Sequence, residues 1–370
     1  MNFLARLTLV LLVTSTIGHT ASIYNFGLLE RVGMAIGRRM IDFVDHREWA
    51  DSIKSDNGQY SLDFINKTHE RFLNEELLNS SLITGLFIDC VDPIEDADRL
   101  TNPLVAALRN PSVTTVGLWN VQFTDESATA VAEALRHNTT LTELSFLTCK
   151  NIGPIGEAIG DLLINTSLTR LYLAFTPIDS PAALGIAGSL KTNTTLNSLC
   201  LFRNWLKEEE ADAIVKSIET NTILTEVCFG SNNIGGHGLV SLVDFLANNP
   251  NLRKYHIMYN IICFPCLKEI CEILKINKSL LELDIRCHSF DDEEGDFILR
   301  SIQDHNTTLQ YLGIEEENNI NPNTIKAIHA AIERNRGKQP YKAWDLFKSF
   351  NVLIKSRVKR GRGIIPPPLL

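Results

Sequence analysis

The chain carries none of the short motifs that build a catalytic or nucleotide site. Its 370 residues contain no phosphate-cradling glycine-rich loop, no Gly-x-Ser-x-Gly elbow and no His-Glu-x-x-His helix. The nine histidines are scattered, and none stands beside a candidate nucleophile. Past the N-terminus no apolar run reaches the roughly 20 residues that a bilayer span requires. Basic charge is also short, with 35 Lys and Arg against 44 Asp and Glu, a net of −9. Eight basic residues faced by Asp345 alone lie between Lys338 and Arg362, which leaves about −16 for everything else. Such an acidic body opposes binding to a phosphate backbone, so no nucleic-acid partner is expected. No enzyme activity, cofactor, metal or small-molecule substrate is expected either.

What the chain has is a phrase, Asn-x-Thr/Ser-Leu-x-x-Leu-x-Leu, that returns about every 28 residues. Leu141, Leu168, Leu196, Leu224, Leu252, Leu280 and Leu309 follow one another at 27, 28, 28, 28, 28 and 29 residues. Val113 extends the series upstream by 28, and Leu82 by a looser 31. A fixed period in this range is the mark of a solenoid, whose stacked units share one continuous core and present a long surface.

Two periodicities alternate inside each unit. Leu224-Thr-Glu-Val227-Cys-Phe229 reads as a short strand with Leu224, Val227 and Phe229 pointing inward. Leu239, Leu242, Val243 and Leu246 then recur at helical spacing. Ser180-Pro181 and Asn321-Pro322 read as helix starts with a capping residue before proline. One strand and one helix per unit implies an α/β solenoid with parallel strands on its concave face and helices on its convex face. Helices are wider than strands, so the stack curves into a horseshoe.

The unit Leu-x-x-Leu-x-Leu-x-x-Asn-x-Ile-Gly, followed by a helix and Asn-x-Thr/Ser-Leu, resembles the ribonuclease-inhibitor-type leucine-rich repeat. The resemblance covers residues 80–335, about nine repeats, and is clearest from Leu224 to Leu252. It implies a protein-binding scaffold. NLR receptors, Ran GTPase-activating proteins and tropomodulins share the repeat type, so regulation of a small GTPase is the alternative. Thr176, His288 and Glu317 replace the pattern's Asn, which is expected to weaken the loops there.

Counting along the unit identifies the side chains of the concave face. Position five reads Gly117, Ser145, Tyr172, Cys200, Cys228, His256, Asp284 and Gly313. Position seven reads Trp119, Leu147, Ala174, Phe202, Gly230, Met258, Arg286 and Glu315, and position eight adds Phe175, Arg203 and Tyr259. Neighbouring strands stand about 4.8 Å apart, so equal positions touch. Trp119, Leu147, Tyr172, Phe175 and Phe202 form a candidate aromatic patch, with Arg203 beside it. Arg253, Lys254, His256 and Tyr259 form a basic, aromatic stripe, and Glu282, Asp284, Glu315, Glu316 and Glu317 an acidic end. Aromatics beside charges are the composition of protein-binding hot spots, so a protein partner is expected for a monomeric chain.

Residues 1–21 have a basic start, a short apolar stretch and small residues at Gly18 and Ala21, the layout of a signal peptide. This implies the secretory pathway; a buried leading helix of a cytoplasmic protein is the alternative. Residues 22–79 read as a helical N-terminal cap, 336–356 as a helical C-terminal cap, and 357–370 as a basic, proline-rich tail through which any membrane contact would run.

The eight cysteines do not decide the compartment. Cys90 and Cys149 fall at the repeat's ninth position, where Cys acts as a small buried residue. Cys200 and Cys228 are face neighbours and a possible disulfide, with two free thiols as the alternative. Cys263-Phe-Pro-Cys266 has the spacing of a redox pair. Cys263 falls in a loop, and Cys266 and Cys271 lie five apart on a helix, so the three side chains are expected to diverge. Asn-x-Ser/Thr occurs at Asn66, Asn79, Asn138, Asn165, Asn193, Asn277 and Asn306, where it doubles as the repeat's own turn chemistry.

Overall fold

Each 28-residue unit folds as its two periodicities require. The computed structural model describes residues 53–56, 59–62, 84–89 and 93–337, apart from 165–166, 233, 287 and 315–317. One eleven-stranded sheet runs in chain order. Its strands are β1 (Ile53–Asp56), β2 (Gln59–Leu62), β3 (Gly85–Asp89), β4 (Thr115–Trp119), β5 (Glu143–Leu147), β6 (Arg170–Ala174), β7 (Ser198–Cys200), β8 (Glu226–Cys228), β9 (Lys254–His256), β10 (Glu282–Asp284) and β11 (Tyr311–Gly313). From β3 onward every strand is followed by a helix. These are α1 (Pro93–Arg109), α2 (Asp125–Arg136), α3 (Gly153–Ile164), α4 (Ser180–Leu190), α5 (Glu208–Ile218), α6 (Gly236–Asn248), α7 (Phe264–Ile276), α8 (Asp292–Gln303) and α9 (Pro322–Arg336). The chain is thus a leucine-rich-repeat solenoid of nine parallel strands, β3–β11, alternating with nine helices among the described residues.

The first-position residues Val113, Leu141, Leu168, Leu196, Leu224, Leu252, Leu280 and Leu309 are all buried in one continuous core. Leu239, Leu242, Val243 and Leu246 of α6 join them, which fixes the helix face. Each such side chain contributes about 1.5–3 kcal/mol by leaving water. The fifth-position series pairs without a gap from Gly117 through Ser145, Tyr172, Cys200, Cys228, His256 and Asp284 to Gly313.

Four local expectations need correction. Gly85 pairs with Thr115, so the series continues to Phe87 and Leu82 is one residue out of register. The unit here is 30 residues long, from Gly85 to Thr115, and an irregular unit cannot be phased from one leucine. Residues 22–79 are not purely helical: β1 pairs antiparallel with β2, and β2 extends the parallel sheet beside β3. The Asn57-Gly58 dipeptide between them is a hairpin signature. In α4 the N-cap is Asp179, whose carboxylate accepts from the Ala182 amide at 3.1 Å, not Ser180. Asn321 does cap α9, with Pro322 at its first position. The segments 1–21, 338–370 and most of 22–79 lie outside the described residues.

The fourth correction concerns the buried polar ladder on the loop side. Asn232 donates to the Leu201 carbonyl and accepts from the Asn204 amide at 2.9 Å, and Asn204 and Asn260 repeat the pattern. Thr176 keeps it, accepting from the Cys149 amide at 3.2 Å and donating to the Phe146 carbonyl at 3.3 Å. His288 keeps it with one nitrogen facing the Ile262 amide at 3.3 Å and the other the Ile257 carbonyl at 3.2 Å. Asn318 replaces Glu317 one residue later, accepting from the His288 and Phe290 amides. Any side chain that both donates and accepts at this depth satisfies the loop, so the departures do not weaken it.

Candidate functional site

The inner face of the sheet divides into a small second core, a charge ladder and an aromatic rim. Side chains on the concave side converge as the sheet curves, so those in the middle are covered by their neighbours. Tyr172, Cys200, Cys228 and Met258 form an apolar cluster there, with Phe202 packed against it. Gly230 makes this closure possible, because a Cβ at that position would stand 2.8 Å from the Met258 sulfur and 2.9 Å from the Phe202 ring. Leu147 and Tyr172 are therefore buried rather than presented, which corrects the reading of both as contact residues. Burial pushes the Tyr172 phenol well above its ordinary range, with a hydrogen bond to Ser198 working the other way. Cys200 and Cys228 are register partners and free, buried thiols. Burial, then the contact with Cys200, pushes the Cys228 thiol far up.

The basic stripe is also largely internal. Lys254 reaches Glu226 at 2.8 Å and Glu282 at 3.9 Å, one strand to either side. His256 is buried 3.4 Å from Glu282. Asp284 is buried and holds the Arg286 guanidinium at 2.8–3.1 Å. Lys254 and His256 are thus parts of a cross-strand network, and Asp284 is paired within its own repeat, so none of the three is an open surface charge. In-register parallel strands place equal positions side by side, and position three alternates in sign from Glu226 to Lys254 to Glu282. Arg253 is exposed, and Glu315 lies outside the described residues.

The rim is where aromatic surface remains. Phe175 and Phe202 meet edge to face at 5.3 Å and 66°. The Arg203 guanidinium lies over Phe175 at 5.6 Å and over Trp205 at 6.0 Å. Phe175, Arg203 and Tyr259 all hold left-handed backbone, at φ 51°, 53° and 56°. The same conformation recurs at Asn120, Thr148 and Ser231, so the eighth position is a fixed turn of the repeat. This turn ends the in-and-out alternation of the strand, and it brings Arg203 beside Trp205. Trp205 is 46% exposed and Tyr259 38%, and Trp119 is half-buried at the end of β4. Trp205 was missed by counting because the alternation was applied no further than position eight.

Three sequon asparagines, Asn138, Asn193 and Asn306, are buried with their side-chain amides donating to the Leu108, Leu163 and Leu274 carbonyls at 2.6–2.8 Å. The folded chain does not offer them for glycosylation. Asn277 is half-buried, and Asn66, Asn79 and Asn165 lie outside the described residues. Cys149 is buried with its sulfur 3.4 Å from the Leu118 carbonyl, as a small ninth-position residue, and Cys90 lies outside the described residues.

No family model matches the chain, and no curated protein matches it in sequence. Among solved structures, the tropomodulin C-terminal domain of Caenorhabditis elegans is 12% identical, covering 48% of this chain and 99% of that domain at a TM-score of 0.36. An internalin from Listeria monocytogenes is 16% identical over 69% of this chain and 79% of its own, at 0.40. The yeast Rad7–Elc1 complex includes a chain 14% identical over 86% of this one and 82% of its own, at 0.46. It is the chain's own strand register and repeat that make it a leucine-rich-repeat solenoid.

Proposed function

We propose that the chain is a non-enzymatic recognition module that binds a protein partner along the loop-side rim of its concave face. The contact is centred on Phe175, Phe202, Arg203, Trp205 and Tyr259. The single observation that carries this reading is the stacked Phe175–Arg203–Trp205 group beside exposed aromatic surface. Tryptophan, tyrosine and arginine dominate binding energy at protein interfaces because each covers large area while keeping a polar handle. The packed core below fixes these loops, so association incurs little ordering cost.

The test uses Trp205→Ala with Tyr259→Ala, since both rings are exposed and their removal leaves the fold intact. Partners captured from the native source by the wild-type chain are identified, and their affinity for the double variant is measured. A loss of tenfold or more at an unchanged melting temperature is expected. Equal affinity for the two chains would refute the rim as the contact surface.

A further inference from the structure

The expected divergence of Cys263 and Cys266 is not what the fold delivers. Helix α7 begins at Phe264, which makes Cys263 its N-cap and sets Cys266 three residues on, across the first turn. Residues so spaced face one another. The two sulfurs stand 3.1 Å apart, in contact and unbonded. Cys271 points elsewhere, toward Ser301 of α8.

The two thiols are not equivalent. Cys263 is exposed, and its side chain makes no capping hydrogen bond that would tie it to the helix. Cys266 is buried under the first turn. Burial, then the contact with Cys263, pushes the Cys266 thiol up to about 12, so this sulfur keeps its proton at neutral pH. An outward thiol open to an incoming disulfide and an inward thiol in contact with it are the attacking and resolving groups of thiol–disulfide exchange. Pro265 lies between them, at the first turn, where a missing amide donor costs nothing.

We propose that Cys263 and Cys266 form a redox site that exchanges with small-molecule disulfides and closes to an intramolecular disulfide. In the first step the Cys263 thiolate attacks one sulfur of R–S–S–R. That bond breaks, and the departing thiolate takes a proton from water. In the second step Cys266 gives its proton to the hydroxide left by the first, and its thiolate attacks the Cys263 sulfur within the mixed disulfide. The S–S bond between Cys263 and R–S breaks, the Cys263–Cys266 bond forms, and the second departing thiolate takes a proton from water. The dithiol loses two electrons and two protons, and the external disulfide gains both as two thiols. The site lies on the loop that also carries Tyr259 of the proposed contact, but neither cysteine belongs to that contact and the experiment below reads the cysteines alone.

The experiment uses the full chain, reduced and then equilibrated with glutathione buffers graded from reduced to oxidised. After alkylation and trypsin digestion, the peptide from Tyr255 to Lys268 contains both cysteines and no other. Closure is expected to appear as loss of two hydrogens from that peptide and absence of alkyl groups, rising smoothly with the oxidised fraction. In Cys266→Ser the peptide should carry a glutathione adduct at residue 263, and in Cys263→Ser neither adduct nor closure. Full alkylation of both cysteines in oxidised buffer would overturn the proposal. So would a wild-type adduct at Cys263 that never closes. If Cys266→Ser fails to fold, the wild-type peptide decides by itself.

Discussion

The two halves of the concave face use side chains in opposite ways. In β4–β6 the strands are five residues long, and the face carries rings: Trp119, Tyr172, Phe175 and, at the border, Phe202. In β7–β11 each strand has three residues, and from β8 the face carries charge: Glu226, Lys254, His256, Glu282, Asp284 and Arg286. A charge-rich half would ordinarily be taken as the stickier one. Here it is the more self-contained, because its charges pair with one another, with His256, Glu282 and Asp284 buried and Lys254, Glu226 and Arg286 only partly exposed. The one ion pair of the first half at the same position, Arg170 with Glu143 at 3.3 Å, is by contrast open to solvent, at 49% and 27% exposure. In this solenoid a charge matched by its register neighbour is withdrawn from a partner only where the pair is also buried, as at His256 and Glu282 but not at Arg170 and Glu143.

Matched deletions would break this contrast most directly. Glu282→Ala strips the buried His256 of its carboxylate and Lys254 of one of two. It is expected to destabilise by about 1–3 kcal/mol, because the buried His256 loses this polar neighbour while Lys254 keeps Glu226. Glu143→Ala should cost about 0–1 kcal/mol, as exposed pairs do. Burial already pushes the Glu143 carboxyl up against the pull of Arg170, so its loss is light. Urea midpoints of the two variants check this, and equal losses would erase the distinction.

Acid should separate the halves next. Burial holds the His288 imidazole down at about 4, from 6.5 in the unfolded chain, outweighing its backbone hydrogen bonds. The unfolded state therefore takes up a proton first. Stability is whole above pH 6.5 and declines as pH falls toward 4, by at most about 3 kcal/mol. His288→Asn should flatten the denaturation midpoint across that window. Asn204, Asn232 and Thr176 occupy the same ladder position without titrating, so amide exchange should rise first around His288.

The border between the halves is sensitive to volume. Gly230→Ala forces Met258 and Phe202 apart and is expected to cost about 1–3 kcal/mol in thermal unfolding. The smallest effect belongs to the rim: Phe175→Leu gives up the edge contact with Phe202 and the Arg203 stack, about 1 kcal/mol. A melting curve resolves that loss, and no change would mean the rings pack independently.

Much of this was legible because the repeat is a ruler. Counting from seven leucines and Val113 placed every fifth-position residue beside its true neighbour, over eight strands. It failed where the ruler has no mark. The hairpin of β1 and β2 precedes the period. Trp205 lies past the turn that ends the alternation. Thr176 and His288 looked like defects because a motif records residue names, whereas the loop requires only a donor and an acceptor at one depth. The Cys263–Cys266 contact depended on whether α7 starts one residue earlier or later, and helix starts are the least certain part of a periodic pattern.

The sequence by itself determined the solenoid, its phase and the identity of the inward leucines, because those follow from spacing, and spacing is local. Only the tertiary structure decided which face residues remain for a partner. Exposure depends on how far neighbouring strands lean together and whose charge lies alongside, and no residue carries that about itself.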